Sequence, residues 1–450
     1  MNITFLGGAR TVTGSKYLVE TPKSKILIDC GLFQGLKELR VKNWDPFPVD
    51  LNLIDAIFLT HAHIDHSGFI PRIYKLGYSN SIFATKATID LCEILLPDSG
   101  YLQEEDARFA NKKGYSKHVP ALPLYTEEEA RNCLGQFKEM DFHKPIQLKD
   151  LKITYFGAGH ILGAASILVE SEGKSVVFSG DIGRTNDLIN PKPEPPFPAQ
   201  AILMESTYGS RNHEKRSPLP ILKDIIEKIK SQSGVLLIPA FAVGRTQLLL
   251  YCIYQIFQKN PEMKIPVFVN SPMATKASKL YYLFHEEHRL TKEQTREMFE
   301  MATFVQSVEE SKALNLKKGP IIIISSSGML TGGRILHHIK AFAPDPRNAI
   351  ILAGYQAPGT RGEALINGKK ELKIHGEEVS INAKIYDLNL LSAHADQEGL
   401  LQWIKGIPKK PNKICLVHGT LESAQALKEV IHDQMNVDPH IPELGQELII

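Results

Sequence analysis

A strand of buried character, residues 55–60 (DAIFLT), runs directly into a loop that is dense in metal-ligand residue types. Four of the next six residues are of this kind: His61, His63, Asp65 and His66. A polar turn would explain one such histidine, whereas four ligand types packed this tightly at a strand end predict a metal site. Because a single loop cannot enclose a metal ion, further ligands have to come from elsewhere in the chain.

Candidates for the remaining ligands follow other apolar strands, each of which ends at an Asp, Glu or His. They are Asp29, His160, Asp181, Glu205, His394 and His418. Ligands on neighbouring strand ends can converge although hundreds of residues separate them. Imidazole and carboxylate without thiolate suit a catalytic zinc ion, with manganese or iron as alternatives. Two metals need about seven or eight ligand bonds, which this set supplies if one carboxylate bridges, and hydrolysis is the reaction expected of such a centre.

The pattern of predicted elements indicates one domain interrupted by another. Residues 1–208 read as short strands and turns with some helices, one of them predicted over 126–141. Residues 209–385 alternate strand and helix, which favours a parallel sheet in a separate domain. Residues 386–450 return to the earlier style, beginning with a predicted strand over 385–392 (IYDLNLLS). We therefore expect 1–208 and 386–450 to form one domain and 209–385 to be inserted into it.

The composition, net charge and cysteine pattern restrict which classes of protein fit this chain. With 450 residues, 43% of them hydrophobic and 23% charged, the chain is typical of globular proteins with two or three domains. The formal net charge is only +2, so a site for a polyanion would have to be a local groove. Five scattered cysteines without a CxxC pair argue against a cysteine zinc site and fit a reducing compartment. The sequence shows no secretory signal and no apolar run near the ~20 residues of a membrane span, so we expect a cytoplasmic protein without membrane contact.

The motifs, taken in order, resemble the metallo-β-lactamase fold and its β-CASP branch, which contains the RNA endonucleases of the cleavage and polyadenylation specificity factor type. HAHIDH followed by His160 and Asp181 is similar to the metallo-β-lactamase motifs. ESTY at 205–208, SAHAD at 392–396 and VHG at 417–419 resemble motifs A, B and C of the branch. The resemblance covers essentially the whole chain. It implies an αββα metallo-β-lactamase sandwich with an inserted β-CASP α/β domain, whose parallel sheet is flanked by helices.

The resemblance also implies which residues bind two zinc ions per chain, with manganese as an alternative. The first ion would be bound by His61, His63, His160 and Asp181. The second ion would be bound by Asp65, His66, His418 and the same Asp181, which bridges. Asp29 matches a family aspartate that supports the ligands from behind, a role that typically changes affinity or activity by about 10- to 100-fold.

The catalytic set implied by the resemblance consists of His394, Glu205, Asp65 and Asp181. His394 resembles the motif B histidine, which contacts the scissile phosphate and protonates the leaving oxygen, and Glu205 would orient it. Asp65 and Asp181 would act through the metals. The implied reaction is attack on an RNA phosphodiester by a hydroxide activated between two metal ions.

The inserted domain offers candidate phosphate contacts. SSSGMLTGGR at 325–334 follows a predicted strand and precedes a predicted helix, and small residues there let backbone N–H groups approach an anion. The candidate contacts are Arg245, Ser326, Ser327, Gly328, Gly332 and Gly333. One departure from the family pattern is Arg361 in GTRG, where an apolar residue is expected; it affects local packing rather than the metal site.

The leading interpretation is a zinc-dependent ribonuclease that acts on single-stranded RNA as an endonuclease, with 5′-exonuclease activity as a second mode and a homodimer as the form common in the family. The first alternative is a β-CASP nuclease acting on DNA, but DNA-processing members tend to have valine where this chain has His418. The second is a small-molecule hydrolase of the metallo-β-lactamase fold, against which the long insertion before SAHAD argues.

Three further alternatives fit the residues less well. A flavodiiron redox protein would have glutamate in place of His63 and a flavodoxin-like domain. An inactive scaffold subunit would have lost metal ligands, and every ligand position here is filled. RNase J itself would have an SGHA-like motif B rather than SAHAD and an extra C-terminal domain.

Overall fold

The computed structural model describes residues 1–114, 118–354, 356 and 359–450. The chain forms two compact units. The first unit consists of Met1–Asn212 and His394–Ile450, and the second of His213–Ala393.

The amino-terminal part of the first unit supplies most of its strands and several helices. The strands are β1 (Asn2–Phe5), β2 (Tyr17–Glu20), β3 (Lys25–Ile28), β4 (Ala56–Phe58), β5 (Ser81–Thr85), β6 (Phe137–Met140), β7 (Ile146–Leu148), β8 (Leu151–Gly157), β9 (Ala165–Ser171), β10 (Lys174–Phe178) and β11 (Ala201–Glu205). The helices are α1 (Lys37–Val41), α2 (Ile64–Ser67), α3 (Ile70–Lys75), α4 (Lys86–Lys113) and α5 (Glu127–Cys133).

The second unit alternates helices and strands. Its helices are α6 (Pro218–Ser231), α7 (Arg245–Lys259), α8 (Pro272–Leu283), α9 (Lys292–Glu300), α10 (Val308–Leu314), α11 (Ile335–Phe342) and α12 (Arg361–Ile366). Its strands are β12 (Val235–Pro239), β13 (Val267–Asn270), β14 (Ala302–Phe304), β15 (Ile321–Ser325), β16 (Ala349–Leu352), β17 (Glu371–Ile374), β18 (Glu377–Ser380) and β19 (Lys384–Asp387). The chain then returns to the first unit with α13 (Gln397–Lys405), β20 (Lys413–Val417), α14 (Leu421–Met435) and β21 (Glu447–Ile449).

Two sheets of the first unit pack face to face. Their strand orders are β21-β1-β2-β3-β4-β5-β6 and β20-β11-β10-β9-β8-β7. Side chains from both sheets, among them Phe58, Tyr155 and Phe178, share one buried core. Helices α13 and α14 cover the other face of the second sheet through residues such as Trp403 and Leu427, and α4 packs on β5 and β6 of the first sheet. This layering confirms the predicted αββα sandwich.

The second unit is built on a parallel sheet with the strand order β14-β13-β15-β12-β16-β19. Ile321–Ser325 is buried along its whole length, as expected of a central parallel strand covered on both faces. Helix α11 packs against the sheet through Ile335 and Ile339. Because the strands are parallel, their amino ends lie at one edge of the sheet and their carboxyl ends at the other. The predicted parallel α/β domain is confirmed.

Two predicted elements are wrong in extent. The helix predicted over 126–141 ends at Cys133, and Phe137–Met140 instead forms β6, which pairs in parallel with β5. The strand predicted over 385–392 stops at Asp387, and a 3-10 turn follows over Asn389–Leu391. Its first residues pair with β16, so the boundary expected between residues 385 and 386 falls inside β19.

Within the described ranges, no helix combines the length and the apolar character that a bilayer span requires.

Candidate metal centre

Two loops of the first unit pack tightly where the strands β3 and β4 end. The backbone N–H of Cys30 donates to the carbonyl of His66 at 2.7 Å, and that of Ser15 donates to the carbonyl of Asp65 at 2.9 Å. A Cβ atom on Gly31 would lie 1.6 Å from the carbonyl oxygen of Asp65, so glycine is required there. This packing fixes the short helix α2 and, with it, the histidine-rich loop.

Four of the predicted ligands converge in one group: His61, His63, His160 and Asp181. Nδ1 of His63 lies 3.1 Å from Nε2 of His61 and 3.2 Å from Nε2 of His160. Oδ2 of Asp181 lies 3.4 Å from each of those Nε2 atoms. Zinc–nitrogen bonds of about 2.0–2.1 Å in tetrahedral geometry would separate ligand atoms by about 3.3–3.4 Å. The spacing therefore suits one tetrahedrally coordinated metal ion.

A second group consists of Asp65, His66 and His418. Oδ1 of Asp181, the oxygen that does not face the first group, lies 3.2 Å from Nε2 of His66. His418 is less regular, because its Nε2 faces Asp65 at 3.4 Å while its Nδ1 faces Asp181 at 3.5 Å. The carboxylate of Asp181 thus lies between the two groups, with one oxygen toward each.

Two buried polar atoms of this cluster support metal binding. Nε2 of His66 and Oδ1 of Asp181 form no hydrogen bond with any described residue, although the two atoms are close to each other. Leaving a polar group buried and unpaired costs about 1–3 kcal/mol. A metal ion accepts both a neutral imidazole nitrogen and a carboxylate oxygen, so the residues present fit one.

The protonation states also suit metal ligands. Burial, together with the neighbouring His61, lowers the pKa of His63 to about 3, and burial together with His394 lowers the pKa of His160 well below its ordinary value. Burial opposes the charge on Asp181, but His418 and other histidines outweigh it and hold the pKa of this carboxyl well below its usual range. His63 and His160 are therefore neutral and Asp181 is ionised, which are the forms that bind a metal. Burial opposes the charge on His66, but Asp181 and Asp29 outweigh it and raise the pKa of His66 well above its ordinary value, so this ring has to lose a proton when a metal binds.

Asp29 and two threonines support the ligands from behind. Asp29 Oδ2 lies 2.8 Å from Nδ1 of His66, and Asp29 Oδ1 accepts the backbone N–H of Thr60 at 2.8 Å. The Thr60 hydroxyl lies 3.1 Å from Nδ1 of His61, and the Thr207 hydroxyl 3.1 Å from Nδ1 of His418. Sequence reasoning missed both threonines, although each stands beside a singled-out residue, in THAHIDH and in ESTY.

His394 and Glu205 form a pair next to the cluster. Nδ1 of His394 lies 3.2 Å from both carboxylate oxygens of Glu205, which is fully buried and accepts the N–H of Ile182 at 2.6 Å. Burial opposes protonation of His394, but Glu205 and Asp181 outweigh it and raise the pKa of His394 to about 10. The His394 side chain is 21% exposed, so a substrate can reach it.

The backbone that presents His394 differs from the prediction that a strand delivers it. His394 follows a 3-10 turn and pairs with Gly183 in an isolated bridge, while the N–H of Ala395 donates to the carbonyl of Ile182 at 2.7 Å. The loop that carries Asp181 therefore positions His394 directly. A further set with metal-ligand spacing, Asp181, Glu205 and His418, shares Glu205 with this pair.

Comparisons with known proteins identify the family to which the chain belongs. Three domain families match the sequence: a beta-lactamase superfamily domain over 24–217, a Beta-Casp domain over 246–365, and a Zn-dependent metallo-hydrolase RNA specificity domain over 378–442. A ribonuclease of Thermus thermophilus is 37% identical over 438 residues, which cover 96% of each chain. The chain belongs to the β-CASP family of the metallo-β-lactamase superfamily. It is a metal-dependent hydrolase.

Two further similarities extend the family picture. A transcription termination factor, FttA, of Methanocaldococcus jannaschii is 31% identical over 468 residues, covering 97% of this chain and 71% of that protein. A solved structure of a protein of unknown function from Enterococcus faecalis matches with a TM-score of 0.57 at 15% identity, covering 100% of this chain and 99% of that one. The latter likeness concerns the fold alone.

The predicted phosphate-binding loop of the β-CASP domain connects β15 to α11. The five predicted contacts Ser326, Ser327, Gly328, Gly332 and Gly333 all belong to this connecting loop. The Ser327 hydroxyl accepts the N–H groups of Thr331 at 3.1 Å and of Gly332 at 3.2 Å. These two N–H groups therefore stabilise the loop itself.

The two arginines singled out in the β-CASP domain contact backbone carbonyls. Arg245 begins α7, and its guanidinium donates to the carbonyl of Ala353. Arg361 begins α12, and its guanidinium donates to the carbonyls of Lys373 at 2.9 Å and of Leu330 at 3.1 Å. Arg361 thereby links the loop between β15 and α11 to the β17–β18 hairpin.

Proposed function

We propose that this chain is a zinc-dependent ribonuclease that cleaves single-stranded RNA internally and, as a second mode, removes nucleotides from the 5′ end. One relative is named a ribonuclease, and one matched family is described as an RNA specificity domain. The observation that carries the proposal is the partly exposed His394 held by the buried Glu205 beside the candidate metal-ligand cluster. A protonated imidazole at the rim of a metal centre suits release of an alkoxide leaving group.

We propose two zinc ions per chain. The first would be held by His61, His63, His160 and Asp181. The second would be held by Asp65, His66, His418 and Asp181. Zinc at such a centre supplies positive charge to the phosphate and a water molecule that ionises near neutral pH.

The protein's own groups have distinct tasks in this scheme. His394 donates a proton to the leaving oxygen of the cleaved phosphodiester. Glu205 orients the imidazole through Nδ1, which leaves Nε2 as the nitrogen for the substrate. Asp29 holds His66 in one tautomer, and Asp181 belongs to both ligand sets. Neutralising and positioning groups of this kind account for most of the catalysis of phosphodiester hydrolysis.

The form of the protein in the cell is part of the proposal. The five cysteines are all buried free thiols, which suits a reducing compartment such as the cytoplasm. A homodimer is the form proposed from the family resemblance. Light scattering on the purified protein would give the oligomeric state directly.

The decisive experiment is cleavage of a single-stranded RNA labelled at either end, with DNA of the same sequence alongside. His63→Ala tests the metal centre and His394→Ala tests the proton donor. His432→Ala, at an exposed position on α14, is the matched control. We expect the parent protein and the control variant to produce internal RNA fragments. His63→Ala and His394→Ala should produce none at a comparable rate.

The products distinguish the modes of action. Mononucleotides released only from the 5′ end would make the protein an exonuclease alone. Cleavage of the DNA strand with intact RNA would replace the proposed substrate. Intact RNA and DNA in the presence of bound zinc would contradict nuclease activity altogether.

A further inference from the structure

A groove of about 480 Å³ opens in the β-CASP domain at the edge of the sheet where β13 and β15 begin. Its lining contains lysines from separate parts of the chain and no Asp or Glu: Lys230, Lys264, Lys317 and Lys318. We call this feature the lysine groove. The loop between β15 and α11 lies at the opposite edge of the same parallel sheet, because it follows the carboxyl end of β15.

One of these lysines has an ordinary structural explanation. Lys230 lies in the last turn of α6, where a positive charge suits the helix dipole, and its ammonium donates to the carbonyl of Glu262. Lys264, Lys317 and Lys318 are exposed and form no ion pair with a carboxylate among the described residues. Three lysines therefore present charge to the groove without a structural partner of opposite sign.

The concentration of charge is notable for this chain. With 52 basic and 50 acidic residues overall, a lining that holds four lysines and no carboxylate is a local excess of positive charge. The lining also includes the half-buried ring of Phe268, with the ammonium of Lys317 5.4 Å from the ring centroid. A basic groove with an aromatic ring is the combination with which proteins bind single-stranded nucleic acid.

We propose that the lysine groove binds the sugar–phosphate backbone of single-stranded RNA, as a contact separate from the loop between β15 and α11. The inference rests on the proposed ribonuclease function, since that function supplies the polyanion. The volume lies within the range of about 300–1,000 Å³ of typical ligand sites, enough for a nucleotide or two. Lys264, Lys317 and Lys318 pair with phosphates, and the sequence of the bases has little influence.

The test measures RNA binding rather than cleavage, so that it does not depend on the activity. Fluorescence anisotropy would follow a labelled single-stranded RNA of about 30 nucleotides in a His394→Ala background. The groove variant is Lys264→Glu with Lys318→Glu. The matched control, Lys369→Glu with Lys370→Glu, makes the same charge change at two exposed positions between α12 and β17.

We expect the groove variant to raise the Kd by about tenfold or more and to reduce the salt dependence, d log K/d log [salt], by about 1.4, because each lost phosphate contact on a single strand removes about 0.7. The control should leave both quantities unchanged. The milder pair Lys264→Met with Lys318→Met, which removes the charges without reversing them, should give a smaller loss of the same kind. Thermal unfolding midpoints equal to the parent's would establish that the variants are folded.

Two results would overturn the lysine groove as an RNA site. Equal weakening by the groove variant and the control would mean a general charge effect, and unchanged binding in the groove variant would mean no contact. Failure of the proposed function is a separate observation, namely intact RNA with the parent protein and zinc. The binding result would stand in either case.

Discussion

Oδ2 of Asp29 lies 2.8 Å from Nδ1 of His66, and the other ring nitrogen of His66 lies 3.2 Å from Oδ1 of Asp181. The carboxylate of Asp29 also accepts the N–H and the hydroxyl of Thr60, so its position is fixed. A hydrogen bond from Nδ1–H to Asp29 would leave Nε2 as the nitrogen available to a metal ion. One buried carboxylate therefore orients the imidazole of His66, a candidate ligand that is distant from it in sequence.

Asp29→Asn should weaken metal binding without removing a ligand. Replacing the carboxylate by an amide keeps the shape and removes the charge, and such supporting groups typically change affinity or activity by about 10- to 100-fold. Competition with a chromophoric chelator would measure the zinc affinity. Asp150→Asn makes the same change at a carboxylate that accepts a hydrogen bond from the Ser171 hydroxyl, and it serves as control. Equal affinities in the two variants would show that Asp29 does not act through His66.

His394→Ala should slow RNA cleavage by about 10²- to 10⁴-fold while the protein retains its zinc, because a general acid contributes about that much. Glu205→Gln should give a smaller loss, since the imidazole keeps a hydrogen-bonding neighbour. Single-turnover rates and metal content measured on the same samples would test both expectations. If Glu205→Gln lost one zinc ion, Glu205 would be a ligand, as its spacing to Asp181 and His418 would also permit.

Metal removal should lower the stability of the first unit. An ion that binds only the folded state adds about 2.7 kcal/mol at a free concentration 100 times its Kd. The parent protein should therefore unfold at a lower temperature after chelation and recover when zinc is restored. His63→Ala removes one candidate ligand of the first group. Restoring zinc should therefore raise the unfolding temperature of this variant less than that of the parent protein. If chelator did not change the thermal unfolding midpoint of the parent protein, that result would argue against a buried metal centre.

The convergence of the candidate ligands was predictable from sequence because parallel strands deliver their last residues to a common edge, and β3 is parallel to β4 just as β10, β11 and β20 are parallel to one another. Asp29, Asp181 and His418 each follow a short apolar strand, and the structure brings them together as expected. The backbone around His394 was not predictable in the same way. It depends on pairing with Gly183, a contact between residues more than 200 positions apart that leaves no periodic signal.

The end of the helix predicted over 126–141 was wrong for a similar reason, namely a strand pairing that leaves no local signal in the sequence. Thr126 and Glu129 form a capping box that marks where α5 begins, so the start was readable. The end was not, because Phe137–Met140 is a short edge strand with two charged residues at its centre, and it becomes a strand by pairing with β5. The lysine groove is likewise invisible in the sequence, since Lys230, Lys264 and Lys318 stand far apart until the sheet forms.

Arg361→Ala should loosen the loop between β15 and α11. The Arg361 guanidinium donates to carbonyls of the loop and of Lys373, and hydrogen bonds of a charged donor contribute about 1.5–3 kcal/mol. We expect faster amide exchange over residues 326–334 and a lower free energy of unfolding. Arg296→Ala, which removes an exposed guanidinium 3.9 Å from Glu300, should change neither. Unchanged exchange in Arg361→Ala would mean that the loop is held by its internal bonds, such as those of Ser327.

Lys16 should make the stability of the protein rise with pH in the alkaline range. Its ammonium is buried, donates to the carbonyl of Gly31 at 2.6 Å and lies 4.5 Å from the centroid of the Phe33 ring. Burial lowers the pKa of Lys16 from 10.5 to about 8, against a smaller opposing effect of Cys30. Between these values the unfolded chain keeps a proton that the folded protein releases, so the free energy of unfolding rises by up to about 1.4 kcal/mol per pH unit. Lys16→Met lacks this proton. Urea unfolding of both proteins between about pH 7.5 and about pH 10 measures the effect. The free energy of unfolding of the parent should rise relative to that of the variant over this range. If the difference between the two free energies stayed constant, Lys16 would titrate normally in the folded protein.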